Sequence, residues 1–406
     1  MTLLSVSDAQ QRILQKIQPV GQATVPLDQA ARRVLAQDIR ADADLPLFDN
    51  SSMDGFAVRA VDTSASRATL RVVADIAAGA SLTSGYSRLA PGEAARIMTG
   101  APLPAGADTV IPVEETDFTE RGSGVPAPAQ VTISRKVEAG ENVRPRGNDI
   151  RAGQAALAKH HQLRPQDLGL LAMLGAANVP VFEIPRVALL SSGDELLPVE
   201  APLTEGKIHD SNSYALAAQI EEAGAQALNL GVAADERAAV ENLLDRAAES
   251  SAGMIVSSAG VSVGAFDFVK EVVESKGSLN FWRVNMRPGK PLAFGEYRGI
   301  PFIGLPGNPV SAFVTFEVFA RPAIEKLSGL EPRPRRRTTV RLAEAIESDG
   351  RESYLRAVVQ EDGTARLAGH QGSGNLFSLV QANALLIIPA GVKSRPAGLE
   401  VEAWLV

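Results

Sequence analysis

The chain has no cysteine, and Phe, Trp and Tyr together make up only 5% of its 406 residues. Without cysteine there can be no disulfide, no thiolate nucleophile and no thiolate zinc site. No stretch approaches the roughly 18 apolar residues that a membrane span needs. These absences exclude thiol chemistry, fit a reducing compartment, and lead us to expect no membrane partner.

Basic residues are fewer than acidic ones, and the formal net charge is -7 at pH 7. A general nucleic-acid binder needs a basic face to neutralise backbone phosphates, so we expect no nucleic-acid partner. Residues 1–18 contain no basic start followed by an apolar core, so they do not resemble a secretion signal. The sequence therefore predicts a cytoplasmic protein.

Hydrophobic residues make up 45% and charged residues 21% of the chain, which is the balance of a folded multidomain protein. Changes of pattern divide the chain into four expected domains, and the β-rich one is an insertion if the helix after Pro165 rejoins the N-terminal helices. The four domains are a discontinuous helical and mixed domain (1–44 and 147–180), an inserted β-rich domain (45–146), a catalytic α/β domain (181–330) and a C-terminal β domain (331–406). The run EPRPRRR that opens the last domain reads as a linker, and a nucleic-acid patch is the less favoured alternative.

Helical signals begin and end the first of these domains. Ser7 can cap a helix that carries Ile13 and Ile17, and a second helix would place Leu27 and Leu35 on one face. A further helix is expected after Pro165, with Gly175 as its stop.

The α/β segment alternates strand, loop and helix, which predicts a mainly parallel sheet with helices on both faces. Pro322 should kink or break its last helix. Ligands of such sheets bind outside the carboxyl ends of the strands, where loops lead into helices. Three loops there are rich in small and polar residues: 191–195, 257–267 and 304–311. They predict a site for a phosphate-bearing ligand, although each alone also fits an ordinary turn.

The second of these loops, 257–267, begins with two serines and then carries glycines before a predicted helix. Its backbone N–H groups and hydroxyls could bind an anion. No Gly-Lys-Ser/Thr follows, which disfavours a P-loop ATPase. Residues 283–290, here called the cation loop, hold Arg283, Arg287 and Lys290, which could neutralise an oxyanion or form a solvated surface.

Carboxylates that could hold Mg²⁺ are spread along the chain, and each alone would more often be a helix cap or a surface charge. They are Asp54, Asp149, Glu195, Asp210, Asp235 and Asp267. The four histidines show no metal-ligand spacing. Two polar motifs, 48–57 and 96–104, lie outside the α/β segment and also fit turns of a β domain.

Eight strings follow one another in a known order: NSSMDGFA, RIMTGAPLPAGADTVIPVE, RPRGNDI, SSGDEL, IHDSN, SAGVSVGAFDF, RPGKPLAFG and GLPGNPVSA. In sequence and order they resemble the molybdopterin molybdotransferases, the family of bacterial MoeA and the gephyrin E domain. The resemblance covers most of residues 45 to 320. It implies an enzyme that inserts molybdenum from molybdate into adenylylated molybdopterin and releases AMP with Mg²⁺.

The resemblance also implies a multidomain α/β and β fold with a three-layer αβα domain like that of MogA and a small C-terminal β barrel. The family is homodimeric, so the site is expected to combine the β-rich domain of one subunit with the α/β domain of the other. An upstream molybdopterin adenylyltransferase and downstream molybdoenzyme chaperones are possible partners. The choice between molybdate and tungstate stays open.

The resemblance and the loops together indicate which residues belong to the site. The expected catalytic residues are Asp54, Thr99, Asp149, Glu195, Asp235 and Asp267. The expected metal ligands among them are Asp267, Glu195 and Asp235. The expected substrate-binding residues are Ser257, Ser258, Gly260, Ser262, Gly264, Arg283, Arg287, Lys290, Pro306, Gly307, Asn308, Pro309 and Ser311. The chain departs from the commoner family pattern at Ala259, Arg283 and Arg287.

Two other functions remain as alternatives. The first is a binding or scaffold protein that keeps the fold and dimer without catalysis, and pterin binding without turnover would support it. The second is a nucleotide-dependent phosphotransferase, which ATP hydrolysis without pterin would favour.

Overall fold

The computed structural model describes residues 3–64, 67–80, 88–120, 124–258, 266–332 and 334–406. The chain forms two compact units. The first consists of Met1–Gln37, Lys159–Leu168 and Ala177–Val406, and the second of Asp38–Ala158 and Gly169–Ala176. Within the described ranges, no helix is both long and apolar enough to cross a membrane.

A six-stranded sheet forms the centre of the first unit. Its strands, in spatial order, are Gln226–Ala233, Arg186–Ser192, Met254–Ser258, Ile300–Leu305, Pro291–Tyr297 and Gly277–Arg283. The first four strands are parallel to one another. Pro291–Tyr297 pairs antiparallel with Ile300–Leu305, and Gly277–Arg283 pairs antiparallel with Pro291–Tyr297. The expected mainly parallel sheet is confirmed.

Helices cover both faces of this sheet. On one face Leu189 packs in the same cluster as Ile13 and Phe316, and on the other Leu190 packs in a cluster with Val272. Because successive strand residues point to opposite faces, both faces are buried and the three-layer αβα arrangement is confirmed. The helices of this unit are Val6–Lys16, Asn212–Glu222, Arg237–Glu249, Phe266–Lys276, Pro309–Thr315, Arg321–Leu327 and Leu376–Gln381.

The last helix of the α/β region changes its hydrogen-bonding pattern near Pro322, as predicted. Pro309–Thr315 passes into a π-helical turn, Phe316–Ala320, before the helix Arg321–Leu327 begins. Pro322 lies in the first turn of that helix, where its missing N–H costs nothing.

The C-terminal part of the first unit is a closed five-stranded barrel. Its strands are, in order, Glu352–Val359, Thr364–Leu367, Arg337–Leu342, Glu400–Leu405 and Ala384–Ile388. The last pairs back with the first, and the short strand Met286–Arg287 of the cation loop pairs in parallel with Glu352–Val359. The expected C-terminal barrel is confirmed.

The second unit is built on a five-stranded sheet. Its strands, in order, are Thr109–Pro112, Gly55–Val58, Glu93–Ile97, Ala68–Ile76 and Gln130–Ile133. Phe56, Leu70 and Val131 lie in one buried cluster, whereas Ala57 and Ile97 lie in another. The expected β-rich character of this segment is confirmed.

Short elements complete the two units. Two-stranded pairs are Gln22–Pro26 with Asn178–Phe182, Ile39–Arg40 with Ala155–Leu157, Asn50–Ser51 with Val143–Arg144, Leu196–Leu197 with Ile208–His209, and Ile346–Glu347 with Ser394–Arg395. Short 3-10 helices are Leu27–Gln29, Ala60–Thr63 and Val113–Glu115. The expected helix after Pro165 is Pro165–Met173, and Gly175 follows it with a φ of 74°.

The second N-terminal helix predicted from the sequence is wrong. Residues Gln22–Pro26 form a strand that pairs with Asn178–Phe182, and only the 3-10 turn Leu27–Gln29 follows. The N–H of Leu35 then donates to the carbonyl of His161. Pairing with distant backbone therefore overrides the local apolar spacing. The first helix is confirmed, although Ser5 rather than Ser7 caps it by accepting from the N–H of Asp8.

Candidate active site

The sheet order fixes where a ligand crevice forms in the first unit. From Arg186–Ser192 the chain moves to Gln226–Ala233 on one side and then to Met254–Ser258 on the other. Loops diverge where the direction of winding reverses, which opens a crevice at the carboxyl ends of Arg186–Ser192 and Met254–Ser258. The first two predicted phosphate loops begin at these two strand ends.

Buried serines end both of these strands. Ser191, Ser192, Ser257 and Ser258 are all at most 2% exposed, and the described residues offer the Ser192 hydroxyl no hydrogen-bond partner. A buried hydroxyl without a partner loses its hydration unless a ligand or water supplies a bond. The two predicted residues Ser257 and Ser258 therefore lie at the base of the crevice.

Asn212, which the sequence reasoning missed, connects two of the loops. Its side-chain NH₂ donates to the Ser258 hydroxyl at 2.8 Å and to the carbonyl of Gly307 at 2.7 Å. Asp210, a candidate metal ligand, accepts instead from the backbone N–H of Ser213 at 3.1 Å and from its hydroxyl. It thus bonds the first turn of the helix Asn212–Glu222, whose N-cap residue is Ser211. The string IHDSN was the signal for Asp210 and Asn212.

Part of the second loop is not described. Gly260, Ser262 and Gly264 lie outside the described residues, as does the side chain of Asp267, whose backbone is in the helix Phe266–Lys276. Their predicted roles in the site remain predictions.

Three carboxylates, Asp194, Glu195 and Asp235, form the acidic trio beside the first loop. Asp194 Oδ1 accepts from the backbone N–H of Asp235 at 3.1 Å. The pKa of Asp235 is raised above its usual value, chiefly by burial and to a smaller extent by the negative charges of Asp194 and Glu195. Oδ1 of Asp235 is buried and finds no hydrogen-bond partner within the part of the chain that the structure describes. Three carboxylates thus lie close together, and the buried oxygen of Asp235 is the one for which the described residues offer no donor.

The donor chemistry of the trio fits a magnesium ion. Across the described ranges, no three Asp, Glu, His or Cys side chains are arranged to hold a metal by themselves. Mg²⁺ does not need such a cage, because it keeps several waters and binds through one or two carboxylates and substrate phosphates. The partnerless oxygen of Asp235 and the neighbouring charges are what such an ion would satisfy.

The cation loop lines a cavity of about 320 Å³, the cationic pocket, together with the third loop and the C-terminal barrel. Its lining includes Arg287, Lys290, Asn308, Ser311, Arg351, Arg356, Gln371, Gly372 and Ser373. Four cations lie on this wall, and one of them, Arg351, is ion-paired with Asp349. Arg287, Lys290 and Arg356 supply the remaining positive charge, which suits a small oxyanion. Arg283 is exposed at the end of Gly277–Arg283 and is not part of the lining.

Arg356, which the sequence reasoning also missed, is the buried cation of this pocket. It is 1% exposed, and its NH2 group donates to the carbonyls of His370 and Gly372 at 3.0 and 3.2 Å. Among the described residues, none accepts from its Nε. Burial, and then the charge of Arg287, lower the pKa of Arg356. A lone arginine within the apolar strand SYLRAVV was the available signal, since arginine is seldom buried without a function or a partner.

The third loop leads from the sheet into the pocket. Pro306 is buried, Gly307 is held by Asn212, and Pro309 opens the helix Pro309–Thr315, to which Asn308 is the N-cap. The N–H of Val310 donates to the carbonyl of Ser373, which attaches this helix to the barrel segment.

The cation loop is fitted closely against that helix. Gly289 has a φ of 105°, and a Cβ there would lie 2.2 Å from Cγ2 of Thr315. Arg351 donates to the carbonyl of Met286 at 3.1 Å. The position of the loop therefore depends on glycine and on the barrel.

In the second unit, Asp54 and Thr99 come together. The backbone N–H and the hydroxyl of Thr99 both donate to Asp54 Oδ1 at 2.7 Å, and these bonds lower the pKa of Asp54. Asp54 lies on the rim of a cavity of about 340 Å³ that is also lined by Phe56, Met98 and Phe118. The carboxylate is thus held ionised beside a cavity with both aromatic and charged side chains, since Arg96, Glu114 and Glu120 also line it.

Asp149 is not part of that cavity. It forms an ion pair with Arg144, and this bond lowers the pKa of Asp149. The structure therefore brings Asp54 and Thr99 together and places Asp149 on a separate ion pair.

Models of three protein-family regions match the chain in succession. The MoeA N-terminal region (domain I and II) matches residues 4–175, the probable molybdopterin binding domain matches 188–326, and the MoeA C-terminal region (domain IV) matches 339–406. Together they span nearly the whole sequence.

Curated relatives and a solved structure agree with these matches. Molybdopterin molybdenumtransferase 2 of Mycobacterium tuberculosis is 39% identical, with 98% of this chain and 99% of the relative covered. Molybdopterin molybdenumtransferase of Haemophilus influenzae is 36% identical, with 95% and 94% covered. A crystal structure of the molybdopterin biosynthesis MoeA protein of Pyrococcus horikoshii superposes with a TM-score of 0.84 at 30% identity, with 100% of this chain and 99% of that chain covered.

Proposed function

This chain belongs to the MoeA family of molybdopterin molybdenumtransferases, and we propose how the residues of its two units divide the reaction. It is a transferase of molybdenum cofactor biosynthesis. Molybdate and adenylylated molybdopterin are the proposed substrates, and the cofactor and AMP are the proposed products. The observation that carries the proposal is the cationic pocket, which lies in the same unit as the crevice of the αβα layer.

The cationic pocket is the proposed molybdate site. Molybdate is a small dianion, and Arg287, Lys290 and Arg356 supply charge while Ser311 supplies a hydroxyl. The buried Arg356 acts in low dielectric, where its attraction for an anion is stronger than in water. The same chemistry would admit tungstate, another tetrahedral oxyanion.

The acidic trio is the proposed magnesium site, with Asp235 and Glu195 as the main ligands. When bound, Mg²⁺ would supply positive charge next to the substrate phosphates. The serines at the two strand ends, Ser257 and Ser258, would then donate hydrogen bonds to those phosphates. Asp267, at the start of its helix, is the third proposed ligand.

Asp54 and Thr99 complete the proposed site from a second subunit. Thr99 keeps the Asp54 carboxylate ionised, so the carboxylate can accept a proton or a hydrogen bond from bound substrate. Asp149 is proposed to support this segment through its pair with Arg144. The proposed enzyme is therefore a homodimer with composite sites.

The setting of the reaction is proposed as well. The enzyme would work in the cytoplasm, receive its pterin from a molybdopterin adenylyltransferase, and pass its product to molybdoenzyme chaperones.

The direct test mixes purified enzyme, adenylylated molybdopterin, Mg²⁺ and molybdate, and follows AMP release and cofactor formation. We expect both products from the native enzyme. Arg356→Ala should raise the KM for molybdate about 10- to 100-fold, because charged hydrogen bonds are lost. Arg366→Ala, which changes an arginine outside the pocket lining, is the matched control. An unchanged KM for molybdate in Arg356→Ala would contradict the assignment of this pocket as the molybdate site.

A further inference from the structure

Gln371 lies beside the cationic pocket, and its side chain is bound entirely to backbone. Oε1 accepts from the N–H of Arg356 at 3.0 Å, and Nε2 donates to the carbonyl of Arg356 at 3.0 Å. Nε2 also donates to the carbonyls of Ala368 and Gly369 at 3.3 and 3.4 Å. Both amide protons are therefore engaged, and no donor of this side chain remains for an anion.

The pairing of the strand Glu352–Val359 leaves a gap at Arg356, where a side chain can bond the backbone. On one edge, Met286–Arg287 pairs only with Glu352 and Ser353, and Thr364–Leu367 pairs only from Ala357 onward. Arg356 lies between these two stretches. The carbonyl of Arg356 accepts from the N–H of Ala368 at 2.9 Å, just past the end of Thr364–Leu367. The carboxamide of Gln371 adds a second donor to that carbonyl and an acceptor for the N–H of the same residue.

We infer that Gln371 is a positioning residue for oxyanion binding, which holds the backbone of Arg356 extended so that its guanidinium stays in the wall of the cationic pocket. This inference rests on the proposed molybdate site. The segment that carries Gln371 also binds the guanidinium directly, through the carbonyls of His370 and Gly372. Although Gln371 also lines the pocket, both of its amide protons are bound to backbone, so a change at Gln371 should act on the anion through Arg356.

Isothermal titration of the full-length protein with molybdate tests the inference. Gln371→Met keeps the length of the side chain and removes all of its hydrogen bonds, and should weaken molybdate binding about tenfold. Gln371→Asn, one methylene shorter, cannot bond both backbone groups and should also weaken it. Gln381→Met, at an exposed glutamine in the helix Leu376–Gln381, is the control and should bind as the native protein does.

A double-mutant cycle separates positioning from a general loss of structure. In an Arg356→Ala background, Gln371→Met should cause no further loss of molybdate affinity, because the group that it positions is gone. In the assay of turnover, Gln371→Met should raise the KM for molybdate and leave kcat near its native value.

The outcomes distinguish this inference from the proposed function. Native affinity in Arg356→Ala would overturn the molybdate site itself. Weak binding in Arg356→Ala with native affinity in both Gln371 variants would overturn only the inference about Gln371. Equal further losses from Gln371→Met in both backgrounds would show that Gln371 acts without Arg356, which also contradicts it.

Discussion

Gly289 offers a test of how closely the cation loop must fit the helix Pro309–Thr315. A methyl group at Gly289 would lie 2.2 Å from Cγ2 of Thr315, which is fully buried. Relief of such overpacking costs about 1–3 kcal/mol. The φ of 105° disfavours any residue with a Cβ by about a further 1–3 kcal/mol. Gly289→Ala should therefore reduce the free energy of unfolding by roughly 2–6 kcal/mol.

Thr315→Ser separates the two causes. It removes Cγ2 and keeps the hydroxyl that donates to the carbonyl of Ser311 at 2.7 Å. In this background Gly289→Ala should cost only the backbone part, about 1–3 kcal/mol. Molybdate affinity should fall in Gly289→Ala and recover in part in the double variant, because the loop carries Arg287 and Lys290.

Urea unfolding followed by tryptophan fluorescence provides the measurement. The chain has two tryptophans, Trp282 and Trp404, and both belong to the first unit. Equal losses of stability from Gly289→Ala with and without Thr315→Ser would refute the steric argument. Native stability in the single variant would refute both arguments.

Two further predictions concern titrating carboxylates. Thr99→Val removes one of the hydrogen bonds that lower the pKa of Asp54, so this pKa should rise. The acidic limb of the profile of kcat/KM against pH should then move to higher pH. An unmoved limb would contradict a role for ionised Asp54. The pKa of Asp235 is higher in the folded protein than in the unfolded chain. The free energy of unfolding therefore falls as pH rises above the usual Asp range, because the folded state resists losing this proton. Asp235→Asn should therefore raise the thermal midpoint at neutral pH without Mg²⁺ and remove the increase that Mg²⁺ causes in the native protein. A persisting Mg²⁺-dependent increase would place the ion elsewhere.

The sequence predicted those parts of the fold that depend on local patterns. Alternating strands and helices predicted the αβα layer, and proline and glycine predicted the ends of Pro165–Met173 and the break near Pro322. The N-terminal segment failed because Gln22–Pro26 finds its partner more than 150 residues away, at Asn178–Phe182. Local apolar spacing carries no information about such a pairing.

The site shows the same division. Asp54 and Thr99 could be named from their motifs, and Arg287, Lys290, Asn308 and Ser311 from theirs. For Arg356 the sequence offered only a lone arginine in an apolar strand, and for Gln371 it offered no signal. Their relation to the cation loop arises only when the barrel strand Glu352–Val359 pairs with Met286–Arg287.

By itself the sequence determined the family, the αβα layer and the kinds of side chain available for an anionic substrate and a hard metal ion. Those follow from residue types at short spacing along the chain. Only the tertiary structure decided which side chains share a cavity, that Asp149 pairs with Arg144, and that Asp235 is left with a partnerless oxygen beside two other carboxylates. Burial, desolvation and long-range pairing are properties of the packed chain, and they set the charge and position of each group.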